Sequence, residues 1–318
     1  MTAQPTGRTA LVLGSGGARG WCHIGVLRGI DALGLRPDML IGCSMGALVG
    51  AAWAAGRLDA LEDFARSLTR SRVLRMLDLR PGSGGLIGGG GISHLLGSLG
   101  LSGSFSDLSL PFTAVAADLN LGQEIWLQRG DLAPAIRASA AMPGILAPQW
   151  LEGRWLIDGA VVNPVPVSVA RAMGAVSVVA VNPTTRVLRP TSHPLPPEGE
   201  AATAPAPSRF ARLIPLRSDK LPRAAPPAPG YLSLVAQALD IMSERIRRSR
   251  LAGDPPDLLI GARLQDLSAL DFHRAAEAID EGHRIAELHR DVLREWLRPS
   301  ASTTAEKPPP KAPPSAAP

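Results

Sequence analysis

Cysteine and aromatic residues are scarce in this 318-residue chain, and each shortage excludes something. Cys22 and Cys43 are the only cysteines, and their spacing fits neither a disulfide framework nor a metal site. So small a number is compatible with a reducing compartment. An aromatic share of 4% leaves the interior to small aliphatic side chains, and a hydrophobic share of 45% is ordinary for a soluble globular fold. The chain is basic, with net charge +5, yet no basic stripe is interleaved with aromatics, which argues against nucleic-acid readout. Residues 1–9 lack the apolar core of a secretory signal. The uncharged stretch 39–56 nears the lower limit for a membrane span, but it holds four glycines and begins as a strand. These absences lead to the expectation of a cytoplasmic protein that touches a membrane, at the inner face, only peripherally.

The length suits one large α/β domain or two small ones. Residues 9–13 form a short apolar run ending at glycine, as a buried parallel strand does. Apolar residues at Ile24, Leu27, Ile30 and Leu33 give a helical period over 21–33, closed by Gly34. Residues 38–43 read as a second strand, and 45–55 as a small-residue helix closed by Gly56. This β–loop–α–β–turn–α order implies a parallel sheet with helices on its faces. Further on, the pattern predicts one helix over 58–77, strands over 112–117 and 123–128, and a helix over 132–141. Strands follow over 155–157 and 177–181, then a helix over 231–251, a last strand over 257–260 and one long helix over 272–297. The glycine-rich run 82–91 lacks the Lys-Ser/Thr ending of a phosphate-binding loop and reads as a mobile connection. Arginine heavily outnumbers lysine, and Arg245, Arg247, Arg248 and Arg250 cluster on one segment, either a solvated helix face or a surface for anionic lipid.

Two segments carry the chemistry. Gly42-Cys43-Ser44-Met45-Gly46 is a G-x-S-x-G pentapeptide, the sequence form of a serine held on a tight strand-to-helix turn. Gly14-Ser15-Gly16-Gly17-Ala18-Arg19-Gly20 is a glycine-rich turn of the kind that aims backbone N–H groups at negative charge. A nucleophile beside an anion cradle is the minimum for acyl transfer through an oxyanion. Ser44 therefore stands as nucleophile, at the carboxyl end of its strand and the N-terminus of the next helix. None of the six histidines follows a strand where a hydrolase base would stand, and His23, opening the first helix, reads as a structural group. Asp158 ends an apolar strand and enters the Gly159-Ala160 turn. Burial beside Ser44 would raise its pKa and make a Ser–Asp pair workable. The competing reading of Asp158 is an Asx turn or helix cap.

Those segments, with Asp158-Gly159-Ala160, stand in the order and approximate spacing of the patatin-like phospholipase family. The flanking residues resemble its bacterial RssA-like branch, related to the catalytic domain of neuropathy target esterase. Supporting stretches are His23-Ile24-Gly25-Val26-Leu27, Ile136-Arg137-Ala138-Ser139, Met142-Pro143-Gly144 and Leu270-Asp271-Phe272-His273. The resemblance spans about residues 8–183 and 231–290. It implies an α/β three-layer sandwich with a mostly parallel central sheet and a nucleophile elbow, acting on lipid or ester substrates without metal or other cofactor. Carried over, Ser44 is the nucleophile, Asp158 the base, and Gly16, Gly17 and Arg19 the oxyanion hole, through the N–H groups of the two glycines and with Arg19 at the family's basic position in that loop. Gly14, Gly20, Gly42, Gly46, Gly159 and Ala160 match its motif positions. Ser15 departs from the commonest form, which has glycine there, and a positive φ at that position would strain the loop.

The domain reading is an extension over 1–8, a catalytic core over 9–183 and a Pro/Ala-rich flexible insertion over 184–230. Helices and a last strand of the same domain occupy 231–298, and a disordered Pro-rich tail 299–318. Two rival readings stand beside the hydrolase. A dinucleotide-binding protein needs glycine where Arg19 stands. A regulatory or adaptor protein would keep the fold with little turnover and use the tail as a partner ligand.

Overall fold

Strands whose side chains are apolar on both faces end up covered on both faces, and this sheet is built from them. The computed structural model describes residues 7–76, 85–87, 90–184 and 230–300. Its strands are β1 (Arg8–Leu13), β2 (Leu35–Arg36), β3 (Met39–Cys43), β4 (Gly85–Ile87), β5 (Phe112–Asp118) and β6 (Glu124–Leu127). They continue with β7 (Gly144–Leu146), β8 (Gln149–Leu151), β9 (Arg154–Asp158), β10 (Ala175–Asn182), β11 (Leu258–Gly261) and β12 (Arg298–Pro299). One eight-stranded sheet runs in the order β11-β10-β1-β3-β5-β9-β8, with β6 also pairing β5. From β11 to β5 the strands are parallel; β6 and β9 join β5 antiparallel.

The helices are α1 (Cys22–Ala32), α2 (Met45–Ala54), α3 (Leu58–Arg66), α4 (Arg70–Met76) and α5 (Gly90–Ser98), then α6 (Leu132–Ser139), α7 (Val167–Ala172), α8 (Tyr231–Gly253), α9 (Ala275–Leu288) and α10 (Arg290–Trp296). Period-two alternation splits the core between the two faces of the sheet. Leu11, Leu13, Leu40, Val179 and Val181 pack with α1, α2 and α9, whereas Ala10, Val12, Met39, Ile41 and Val178 pack with Val167, Val169 and Ala170 of α7. This is the expected three-layer α/β sandwich. Every residue of α2 is buried, as an apolar helix with no polar face must be. The uncharged stretch 39–56 is thus β3 and α2, and among the described residues no helix is long and apolar enough to cross a membrane.

Several expectations need correction. The helix expected over 58–77 is broken at Ser67-Leu68-Thr69. Ser67 Oγ donates to the Phe64 carbonyl at 2.6 Å, and Thr69 Oγ1 accepts the Arg72 N–H at 3.2 Å, so one hydroxyl closes α3 and the other opens α4. The long helix over 272–297 is a 3-10 turn (Phe272–Arg274) followed by α9 and α10. At His289 both the backbone N–H and ring Nδ1 meet the Ile285 carbonyl, at 3.1 and 2.8 Å, and the backbone leaves the helical region. Within the glycine-rich run, Gly85–Ile87 is β4 paired with β7, and Gly90 already opens α5; residues 82–84, 88 and 89 lie outside the described residues. Arg8 belongs to β1, opposite Ala175, rather than to an extension, and Pro299 pairs with Leu35 rather than beginning a tail. The insertion over 184–230 and the tail otherwise lie almost wholly outside the described residues.

Helices α1 and α9 cross backbone to backbone. A Cβ on Gly25 would come within 2.1 Å of the Ile279 carbonyl oxygen, and one on Gly282 within 2.0 Å of the Cys22 carbonyl oxygen. Gly282→Ala should therefore cost about 2 kcal/mol or more through forced separation of the helices. Thermal unfolding of the variant checks this, and an unchanged midpoint would contradict the crossing.

Candidate active site

Strand β3 delivers Ser44 to the carboxyl edge of the sheet, and α2 begins at the next residue. Ser44 has φ 56° and ψ −120°, a conformation that L-residues avoid and that costs on the order of 1–3 kcal/mol. The turn closes tightly because Gly46 lies against β1: a Cβ there would sit 2.1 Å from the Leu13 carbonyl oxygen. Ser44 is 4% exposed. Its N–H donates to Ser139 Oγ at 2.9 Å, and that hydroxyl donates in turn to the Val115 carbonyl at 2.6 Å.

Ser44 Oγ donates to Asp158 Oδ2 at 2.6 Å, a short bond of the charge-assisted kind. Asp158 Oδ1 accepts the Ala160 N–H at 2.8 Å, so the carboxylate caps the 3-10 turn Gly159–Val161 while its other oxygen holds the serine. The bond to Ser44 and the capping role therefore meet in one side chain. Asp158 is 1% exposed. Burial raises its pKa from 3.8 to about 6, against the opposing effect of the bonds from Ser44 and Ala160. The Cys43 thiol, next to Ser44 and fully buried, is held protonated by burial and by the Asp158 charge.

The glycine loop approaches from β1. Gly14 donates to the Val181 carbonyl at 2.9 Å, and Ser15 to the Pro164 carbonyl at 2.8 Å. Positive φ falls on Gly17, at 55°, and not on Ser15, so the serine is unstrained. Ala18 N–H donates to the Ala269 carbonyl at 2.8 Å, and Arg19 N–H to the Gly16 carbonyl at 3.2 Å. Among the described residues, the N–H groups of Gly16 and Gly17 have no acceptor, and both residues line the cavity at Ser44. Arg19 is different from the expectation. Its guanidinium reaches the Leu267 carbonyl at 2.7 Å and Asp240 Oδ2 at 2.8 Å, tying the loop to α8 rather than offering a donor to an oxyanion. Gly20 packs on Met45, Gly42 on Ala47, and Gly159 on the Val115 carbonyl. His23 is buried with Nε2 on the Gly14 carbonyl at 2.8 Å, and burial lowers its pKa to about 4. It is a neutral structural group, as expected.

Two cavities meet at Ser44, Gly17 and Met142. One, of about 90 Å³, is the more polar of the two, with Asp158, Arg19, Asp240, Ser243 and Glu244 in its walls beside Leu239 and Leu264. The other, of about 170 Å³, is apolar and lined among others by Leu48, Phe64, Ile92, Leu95, Ile145 and Phe272. Gly91, Ile92 and Leu95, at and after the end of the glycine-rich run, line this apolar cavity. Two residues of the site went unread as such in the sequence. Ser139 stood within a stretch quoted only for resemblance, and Asp240 looked like any polar residue on a helix.

A family model described as patatin-like phospholipase matches residues 11–171. An uncharacterized NTE family protein of Mycobacterium tuberculosis is 34% identical over 351 residues, covering 94% of this chain and 96% of that protein. The human patatin-like phospholipase domain-containing protein 6 is 34% identical over 185 residues, which are 56% of this chain but 13% of that protein. VipD from Legionella pneumophila superposes with a TM-score of 0.46 at 12% identity, over 91% of this chain and 68% of that one.

The raised Asp158 pKa has a cost for stability. Between pH 4 and 6 the unfolded chain gives up this proton while the folded chain keeps it, so this group's contribution is full below pH 4 and lost as pH passes 6. Asp158→Asn has no such loss. Its stability relative to the parent should improve by about 3 kcal/mol at most between pH 4 and pH 7, as denaturant titrations at the two pH values would reveal.

Proposed function

The chain belongs to the patatin-like phospholipase family, and from that premise we propose that it is a lipid acyl hydrolase working through a Ser44–Asp158 dyad. The observation that carries this reading is the 2.6 Å bond from Ser44 Oγ to a carboxylate shut off from water. A carboxylate is a weak base for a serine proton in water; with its pKa raised to about 6 it is a better one and is still ionised at neutral pH.

In the first step Ser44 Oγ attacks the ester carbonyl carbon as Asp158 takes its proton. The carbonyl oxygen, now negative, receives the free N–H groups of Gly16 and Gly17. Collapse breaks the ester C–O bond, and the departing alcohol or lysolipid takes the proton from Asp158. Water then gives a proton to the same carboxylate as its oxygen attacks the acyl-enzyme, and the fatty acid leaves with Ser44 regenerated. Arg19 serves here as a positioning residue, since its bonds to Leu267 and Asp240 fix the loop. The strained Ser44 backbone and the Ser139 bond fix the nucleophile in the same way.

The wall chemistry divides the substrate. The apolar cavity of about 170 Å³ suits the acyl chain, and the polar one beside Asp240 and Glu244 suits the leaving group. An apolar cavity of about 150 Å³ accommodates benzene, so this one takes roughly six to eight acyl carbons in full.

A series of p-nitrophenyl esters tests these points together. Ser44→Ala and Asp158→Asn should each lose about a hundredfold or more in kcat/KM. For the unaltered chain, kcat/KM should rise as pH passes about 6. A folded protein that turns over no ester and whose Ser44 ignores a fluorophosphonate would leave the regulatory reading in place. The chain-length profile should peak at roughly six to eight carbons. Ile92→Trp should shift it to shorter chains with the shortest ester little affected, and a profile unmoved by that change would remove the acyl assignment of the cavity.

A further inference from the structure

The helix that walls the polar cavity has a second face. Ala236, Leu239, Asp240, Ser243 and Glu244 of α8 turn toward the cavity. On the opposite arc, at spacings of three and four, stand Tyr231, Leu234, Ile241, Met242, Arg245 and Arg248. Tyr231 is 66% exposed, Leu234 55%, Ile241 51% and Met242 57%. The outer arc is therefore apolar in its first half and cationic in its second. Arg245 has no ion-pair partner among the described residues, and Arg248, though bonded to Glu244 at 2.6 Å, keeps 46% of its side chain in solvent. No carboxylate is exposed anywhere along 231–250.

A second exposed cluster lies at the same end of the sheet. In the β8–β9 hairpin Trp150 stands opposite Trp155, their rings 5.1 Å apart, and both are exposed. Strand β9 enters antiparallel to β5, with Leu156 opposite Asp118 and Asp158 opposite Ala116. The tip of the hairpin therefore lies beyond the carboxyl end of β5, on the side of the sheet where Ser44 sits. Exposed Leu119, whose N–H donates to the Trp155 carbonyl at 2.9 Å, extends this cluster.

Aliphatic side chains, guanidinium groups and indoles together match one kind of partner. Aliphatic chains enter the acyl boundary of a bilayer, indoles rest at headgroup depth, and guanidinium groups meet lipid phosphate. A second copy of this chain matches poorly. Pairing through the same face would bury Arg245 and Arg248 against apolar side chains or against each other, between molecules that each carry +5.

We propose that the outer face of α8, together with the Trp150–Trp155 hairpin, docks on an anionic bilayer surface. Docking brings the polar cavity, walled by the inner face of the same helix, next to the headgroups. Its use in delivering substrate rests on the hydrolase reading; the docking itself does not.

The test is sedimentation of the full chain with vesicles of phosphatidylglycerol and phosphatidylcholine in equal parts, against phosphatidylcholine alone. The protein should pellet with the anionic vesicles, and less so as salt rises. Ile241→Glu with Met242→Glu, and separately Arg245→Glu, should each lower the partition coefficient by about fivefold or more. Hydrolysis of a soluble short-chain ester should stay within about twofold of the parent in these variants, because none of the three side chains lines a cavity. Failure of the parent to pellet, or variants that pellet equally well, overturns the proposal. It is also overturned if the double variant changes only the oligomeric state in analytical ultracentrifugation, which makes a second copy the occupant. A protein that pellets yet turns over no ester upholds the docking surface and removes the hydrolase reading instead.

Discussion

The geometry at Ser44 depends on the register of one strand. β6 pairs along one edge of β5, and β3 and β9 meet end to end along the other, so Cys43 lies opposite Val115 and Asp158 opposite the next residue, Ala116. A parallel neighbour brings the serine to that level, and an antiparallel neighbour brings the carboxylate down to meet it. The Val115 carbonyl also receives the Ser139 hydroxyl, and Gly159 packs directly against it. A slip of one residue in either β3 or β9 would turn alternate side chains to the wrong face and part the two oxygens. The 2.6 Å bond is thus set by backbone pairing, with side-chain choice only completing it.

Around that pair the molecule separates two solvents. On one side of Ser44 the walls are aliphatic and aromatic; on the other they carry Arg19, Asp240 and Glu244. A related division recurs on α8, whose inner face sets Asp240, Ser243 and Glu244 toward the cavity and whose outer face is apolar and cationic. The ion pair between Arg19 and Asp240 joins the two levels, since it fixes the glycine loop to the helix at 2.8 Å.

Much of this was legible in the sequence because glycine and short apolar runs leave strong local marks. The β1–loop–α1–β3–turn–α2 succession followed from residues 9–56 alone, and Ser44 and Asp158 stood at strand ends where the fold brings them within hydrogen-bond distance. What was not legible depended on contacts distant in sequence. Ser139 touches Ser44 across 95 positions and Arg19 touches Asp240 across 221, and no periodicity reports such pairs. Breaks at Ser67-Leu68-Thr69 and at His289 were hidden because hydroxyl and imidazole groups end helices through local bonds without disturbing the apolar period. Strands as short as β2, β4 and β12, of two or three residues, contain too little alternation to be read.

The glycine loop is written at residues 14–20 but is held from the far end of the chain. Ala18 is bonded to Ala269, Arg19 to Leu267 and Asp240, and the helix that follows is pressed against α9 through Gly25 and Gly282. During synthesis Ser44 emerges early, whereas Asp240, Leu267 and Ala269, which fix the loop beside it, emerge much later. A nascent chain stopped before residue 240 therefore carries Ser44 without the contacts that hold the glycine loop beside it.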